Sequence, residues 1–559
     1  MGGGRISSGV VPHLGLASGD TLTAMIASRS FVLACTLIAC AASAQSVPAP
    51  IAHVAFPTGA SSPLGEQIAT LLADPSVARA HWGIAVTALD GTPIYGLDEG
   101  KLFRPASTNK LFTTATAMAL LGPSSTVRTT VYFQPPAADG TVTGDVTLVG
   151  YGDANLSGRT IPYVRPGTVA AGQVAADSLR YIDELAAGVA KAGVRHVTGD
   201  VVGSDWPWEP YPQGWGTDDL LWGYGAPVSN LAIDDNEVLL TVTPGPLHEP
   251  AVVTLTPDIG YYRIQSTVKT TESGAPGGVV PHRDAGEKVL HVDGLVPAGH
   301  PYVTEIAVDD PPAYAAFALR KKLEEHGITV DGTVRAKHEF AGDPDNFLHE
   351  SKVPLPAGVR RVTAPGGYLD GQPVVVAHVS PTLAEDVVVT LKESQNLHAE
   401  MMLRRLGHAF GENAGQQSST FAQGTRVVRQ WLINAGIDGD DFTFYDGSGL
   451  SAKDLVTPRA QVQLLAYATK QTWFPLWKAA LPVGGIDGTL GSRFKDSSLK
   501  GHLFAKTGTL GESRALAGYV DCASGRQVIF SIMVDDHAPG SPADHGVMDK
   551  IVAAIAAAN

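Results

Sequence analysis

The sequence predicts an α/β (α+β) fold in which one helix-and-strand domain is interrupted by a large β-rich inserted region. Three observations point there. A hairpin pattern and an apolar helix fall near residues 84–122, β-rich text dominates 236–310, and helical patterns followed by strands return toward the C-terminus. The 559 residues are enough for several cores, and 44% hydrophobic with 17% charged residues is a globular composition. Forty basic against 55 acidic residues, net −15, with no dense Lys/Arg stripe, argue against a nucleic-acid partner, whose phosphates need neutralising cations.

In chain order, the first element is a leader. Residues 31–42 (FVLACTLIACAA) are uncharged, follow Arg29 and precede Ala42-Ser43-Ala44, a small-x-small cleavage pattern before Gln45. This run is shorter than the roughly 20 residues that span a bilayer, so residues 1–44 read as an export signal, with Met25 as an alternative start. Leu37-Ile38-Ala39-Cys40 also resembles a lipoprotein box, which would anchor the chain through Cys40. Beyond the leader only Cys522 remains, so neither an internal disulfide nor a cysteine zinc site is expected. No later segment is apolar enough to span a membrane, and the expected location is the periplasm.

Residues 84–97 alternate around an Asp-Gly turn, which predicts a hairpin. Apolar residues at 111, 112, 115, 118, 119 and 121, closed by Gly122, predict a helix. Strands are expected over 128–156, a helix over 177–192, strands again over 236–310, and a proline-initiated helix over 311–327. Long helical patterns cover 384–410 and 419–435, and the C-terminal part reads strand, strand, helix.

Three short motifs carry chemistry. In Ser107-Thr108-Asn109-Lys110, helical spacing sets the Lys110 amine beside the Ser107 hydroxyl. A serine is a weak nucleophile without an adjacent base, and a desolvated amine can be that base. In Ser394-Gln395-Asn396, a hydroxyl and an amide two residues apart can relay a proton and hold a carbonyl, although a serine capping a helix would look the same. In Lys506-Thr507-Gly508-Thr509-Leu510, glycine in a strand permits close backbone approach, the two threonines share a face, and the lysine offers a cation to a carboxylate. The acids and histidines of Asp535-Asp536-His537 and Asp544-His545 could be read as a metal site, but a surface loop accounts for them.

In this order the three motifs match the Ser-x-x-Lys, Ser-x-Asn, Lys-Thr-Gly set of penicillin-binding proteins and β-lactamases. The segments RPASTNKLFTT, KESQNLHAEM, YDGSGLSAKDLVTPR and FAKTGTL resemble the D-alanyl-D-alanine carboxypeptidase/endopeptidase family, the class C low-molecular-mass penicillin-binding proteins, over residues 60 to 559. The resemblance implies a serine penicillin-binding/β-lactamase-like domain built from 45–127 and 377–559, with 128–376 inserted as two nested subdomains. Ser107 to Ser394 spans 287 positions against 112 from Ser394 to Lys506, a gap that an ordinary β-lactamase would not need.

The same resemblance implies roles. Ser107 would be the nucleophile and Lys110 its base; Ser394 and Lys506 would pass a proton to the leaving amine, and Asn396 would hold the substrate amide. Thr507 would help bind the terminal carboxylate, the backbone amides of Ser107 and Thr509 would hold the oxyanion, Gly508 would belong to the same substrate-binding strand, and Leu510 would form the apolar part of a side-chain pocket. In Gly214-Trp215-Gly216-Thr217-Asp218-Asp219 and Tyr224-Gly225-Ala226-Pro227, Asp219 (or its neighbour Asp218) and Tyr224 would face the free amine of diaminopimelate. Peptidoglycan peptides and β-lactams are the implied partners, with a homodimer as a further option and no metal or organic cofactor. A β-lactamase-like hydrolase and a catalytically weak peptidoglycan-binding homologue are the alternatives.

Overall fold

A computed structural model describes residues 55–57, 62–164, 177–340, 347–355, 358–361, 374–411 and 420–559. The leader expected over 1–44 lies outside these residues.

A five-stranded antiparallel sheet draws its strands from both ends of the chain, in the order Pro93–Leu97, His81–Ala88, Gln527–Asp535, Ser513–Asp521, Leu503–Leu510. Its central strand reads QVIFSIMVD, nearly all apolar, because both faces are covered. Side chains alternate accordingly. Ile84, Val86, Phe530 and Ile532 pack toward Leu64, Ile68, Ile551 and Ile555 of the helices Pro63–Leu72 and Ala543–Ala558. Ala85, Ile529 and Met533 face the opposite core, built from the helices Lys110–Leu120, Leu383–Lys392, Asn396–Phe410, Phe421–Asn434 and Pro458–Ala468. The expected C-terminal pattern gains a strand: three precede the last helix.

A second five-stranded sheet runs Val334–Phe340, Val201–Trp208, Val146–Gly150, Arg128–Tyr132, Val374–Val379. Its first three strands are parallel and its last two pairings antiparallel, so Arg128–Tyr132 and Val374–Val379 lie side by side, Thr130 opposite Ala377. The helices Arg180–Lys191 and Pro311–Glu325 pack on it through Ile182, Leu185, Tyr314 and Leu319. Asp310 caps the latter helix by accepting from Ala313 N, and prolines occupy its first positions, where no amide donor is needed. The segment also holds a three-stranded sheet (Tyr302–Ala307, Glu237–Thr243, Val252–Thr256), a four-stranded one around Val289–Pro297 and a short three-stranded one (Thr329–Val330, His196–Val197, Thr141–Val142).

The helical pattern over 384–410 is not one helix. It begins in a capping box, Thr382 with Glu385, and runs to Lys392; a second helix starts at Asn396. Ser394 between them has φ +63°, a left-handed backbone that costs an L-residue about 1–2 kcal/mol. The helix is capped not by Ser394 but by Gln395, whose side chain accepts from Leu397 N.

Candidate active site

Ser107 sits in a 3₁₀ turn, Ala106–Asn109, that feeds directly into the helix Lys110–Leu120. Ala106 also has positive φ, +46°. The turn is held from below: Asn109 Nδ2 donates to Asp446 O and Asp454 Oδ2, both at 3.1 Å, and Gly449 packs so closely that a Cβ there would fall 1.8 Å from Ala106 O. Lys110 is fully buried beneath it. Its Nζ lies 3.0 Å from Ser107 Oγ, 2.6 Å from Asn396 Oδ1 and 2.9 Å from Ser448 O. A neutral amine has two N–H donors; the amide and carbonyl oxygens take both, which turns the lone pair toward the serine hydroxyl. Burial brings the amine down to about 7, against the pull of the Asp446 and Glu400 carboxylates in the opposite direction.

The strand Leu503–Leu510 closes the other side. Gly508 is required there: a Cβ would lie 2.7 Å from Pro105 O and 3.1 Å from Ser107 N, so any side chain would push the strand off the serine turn. Lys506 is buried, not offered to solvent; its Nζ donates to Ser394 Oγ and to Thr507 O, both at 2.8 Å. Burial, and then the neighbouring Lys110 amine, hold Lys506 well below the ordinary lysine range. Thr507 Oγ1 pairs with Thr489 Oγ1 at 2.7 Å.

These groups surround an open cavity of about 410 Å³ lined by Ser107, Ser394, Asn396, Thr507, Thr509 and Leu510, together with Asp219 and Tyr224. Asp219 Oδ1 accepts from Tyr224 Oη at 3.0 Å and Asp219 Oδ2 from Gly216 N at 3.2 Å, whereas Asp218 is exposed and pairs with Thr217. Asp219 therefore lines the cavity and Asp218 does not. Asn396 Nδ2 donates to Tyr224 O at 2.8 Å, and Trp215 Nε1 donates to Asp446 Oδ2 at 2.9 Å, tying the loop around residues 214–224 to the groups that surround Lys110.

The candidate site residues thus gather around one cavity, with Lys110, Lys506 and Gly508 just behind its lining. Sequence reasoning assigned no role to Gly449, Leu450, Thr489, Gly511, Trp215 or Asp446. The segment YDGSGL was the available signal for three of them, Asp446, Gly449 and Leu450, since Asp446 collects amides of Gly449 and Ser451 at 2.7 Å each and so shapes the loop under Lys110. At the end of the sheet where Leu510 pairs with Ser513, Asp535 and Asp536 face Arg104, Asp536 also meets His81, and Asp544 pairs with Arg514. Among the described residues no group of three acids, histidines or cysteines is arranged to hold a metal.

Residues 64–362 and 345–558 match the model of the D-Ala-D-Ala carboxypeptidase 3 (S13) family. The chain belongs to that family. It is 32% identical over 510 residues to a D-alanyl-D-alanine carboxypeptidase of Actinomadura sp. (strain R39), covering 88% of this chain and 84% of the relative. It is also 24% identical over 443 residues to the D-alanyl-D-alanine carboxypeptidase DacB of Haemophilus influenzae, over 78% of this chain and 81% of that one. The crystal structure of penicillin binding protein 4 (dacB) from Haemophilus influenzae shares the fold, with a TM-score of 0.67 at 21% identity over 87% of this chain and 97% of that chain. As an S13 member the protein is a peptidase, a hydrolase of the D-Ala-D-Ala carboxypeptidase type.

Proposed function

We propose that the protein is a periplasmic D-Ala-D-Ala carboxypeptidase and D,D-endopeptidase that works on peptidoglycan stem peptides and cross-bridges through an acyl-enzyme on Ser107. The observation that carries this reading is the contact of Lys110 Nζ with Ser107 Oγ, with the amine's other two partners both acceptors. Ser107 Oγ attacks the penultimate D-Ala carbonyl as its proton passes to Lys110 Nζ. The amides of Ser107 and Thr509 receive the oxyanion. The proton taken up by Lys110 passes on to Ser394 Oγ, hydrogen-bonded to Lys506, as Ser394 gives its own proton to the departing amine and the acyl–nitrogen bond breaks. Water then attacks the ester carbonyl, gives one proton to the freed Lys110 amine and through it to Ser107 Oγ, and releases the acyl group. Thr507 and Thr509 hold the substrate carboxylate, Asn396 its amide, and Asp219 with Tyr224 the amine of a diaminopimelate side chain.

In this reading 45–127 and 377–559 form the penicillin-binding domain and 128–376 is the insertion, supported by the sheet that joins strands from both chain ends. Export rests on the leader over 1–44. β-Lactams, which imitate D-Ala-D-Ala, should acylate Ser107 and remain. Intact-mass spectrometry with benzylpenicillin, then with a diaminopimelate stem pentapeptide, tests the proposal. A stable adduct that maps to Ser107 together with loss of one D-Ala supports it; prompt turnover of penicillin without peptide cleavage would make the protein a β-lactamase instead.

A further inference from the structure

Two left-handed backbone segments face each other beside the cavity. Asp234, Asp235 and Asn236 have consecutive φ values of +49°, +56° and +58°, and Ser394 has +63°. Asp and Asn tolerate this conformation singly, but three such residues in a row, and a serine, hold it where their surroundings support it, and here one side chain joins the two segments. The Asp235 carboxylate, 2% exposed, accepts four hydrogen bonds. Oδ1 takes Arg159 Nη1 at 2.7 Å and His398 Nε2 at 3.1 Å; Oδ2 takes Arg159 Nη2 at 2.5 Å and Gln395 Nε2 at 2.7 Å. Arg159 Nε continues to Glu393 Oε2 at 3.0 Å, and His398 Nδ1 to Asp386 Oδ1 at 2.6 Å.

Both neighbours of Ser394 are therefore gripped from one point, Gln395 directly and Glu393 through Arg159, and His398 fixes the first turn of the next helix. Buried ion clusters often add little net stability over apolar packing; what this one adds is a single geometry. Burial opposes the charge on Asp235, but Arg159 first and then His398 outweigh it and keep the carboxylate ionised.

Resting on the reading that Ser394 relays the leaving-group proton, we propose that Asp235 is a positioning residue that sets the left-handed backbone of Ser394 and so aims its Oγ at Lys506. Displacement of a reacting group by about 1 Å can slow a reaction on the order of a hundredfold, so partial release of one tether should cost about tenfold.

The test uses the full chain and benzylpenicillin, following Ser107 acylation over a range of drug concentrations. Gln395→Asn keeps an amide able to cap the helix at Leu397 N but is one methylene too short to reach Asp235. It should lower the maximal acylation rate about tenfold, with the half-saturating concentration and melting temperature those of wild type. Asp235→Asn should lose at least as much, and the double variant no more than Asp235→Asn alone, since both cut the same tether. A maximal rate for Gln395→Asn within twofold of wild type overturns the inference, even if Asp235→Asn fails to fold. So does a loss confined to the half-saturating concentration. A wild-type chain that takes no penicillin on Ser107 overturns the reading of the site itself; a labelled wild type with unslowed variants overturns the positioning role alone.

Discussion

Asn396 and Tyr224 are joined by a 2.8 Å hydrogen bond from the Asn396 side-chain amide to the Tyr224 carbonyl, while Asn396 Oδ1 accepts from Lys110 Nζ at 2.6 Å. One amide therefore links Lys110, the proposed general base, to the residue whose hydroxyl contacts Asp219. Its orientation is dictated at both ends, since only the oxygen can face an amine that donates and only the nitrogen can face a carbonyl.

That polarity makes Asn396→Asp informative. A carboxylate cannot donate to Tyr224 O, and it would place a negative charge against Lys110, favouring the ammonium form. The pH midpoint for acylation should rise by at least about one unit, roughly 1.4 kcal/mol, and the rate at pH 7 should fall about tenfold or more. Acylation rates measured across pH for both proteins check this, and an unmoved midpoint would refute it.

The wild-type profile follows from the burial of Lys110. Its amine must be neutral to accept the Ser107 proton, and burial brings it to about 7. The rate of penicillin acylation should therefore climb with pH through about 7 and then level. Because Lys506 lies close enough to influence Lys110, the midpoint belongs to the pair of amines. A rate that is flat or falling across that range would remove Lys110 from the role of base.

Much of the site was legible because its chemistry is local. Ser107 and Lys110 share one helical turn, and the Lys506–Leu510 motif sits in a strand whose glycine announces a close contact. Most of the sheet strands were legible from apolar runs, with Ile84, Val86, Phe530 and Ile532 on one face, although the C-terminal part read as two strands where the sheet has three. The break at Ser394 was not, since apolar spacing continues on both sides of it. What bends the chain there is Arg159 and Asp235, which lie far away in sequence and meet only in the folded protein. The same holds for Trp215 and Asp446, 231 positions apart: indole and carboxylate are each unremarkable alone, and nothing local pairs them.

His398 gives a stability prediction with a definite sign. It is fully buried between Asp386 and Asp235, and although burial alone would lower it, Asp386 first and then Asp235 raise it from 6.5 to about 9. A raised folded value means the stabilisation is complete below about 6.5 and is lost as pH climbs through 9. Lys110, held low in the folded state, acts in the opposite direction, so the comparison must be between wild type and His398→Gln. The melting-temperature gap between them should be largest near pH 6 and shrink by pH 9. A gap constant over that interval would mean that the imidazole stays neutral.

The last expectation concerns substrate choice at Asp219. It lines the same cavity as Ser107, half-buried, and its carboxylate already accepts from Tyr224 Oη at 3.0 Å and Gly216 N at 3.2 Å. An ammonium entering that wall would add a charge-assisted hydrogen bond, typically about 1.5–3 kcal/mol, or roughly ten- to a hundredfold in kcat/KM if the contact persists in the transition state. Asp219→Ala should slow cleavage of stem peptides with a free diaminopimelate amine by that factor. Benzylpenicillin has no such amine, so its acylation of Ser107 should fall far less, leaving at least a tenfold difference between the two substrates. Asp218, exposed and paired with Thr217, serves as the control: Asp218→Ala should not discriminate. Equal losses on both substrates in Asp219→Ala would indicate damage to the fold, and discrimination by Asp218→Ala instead would move the amine contact to that neighbour.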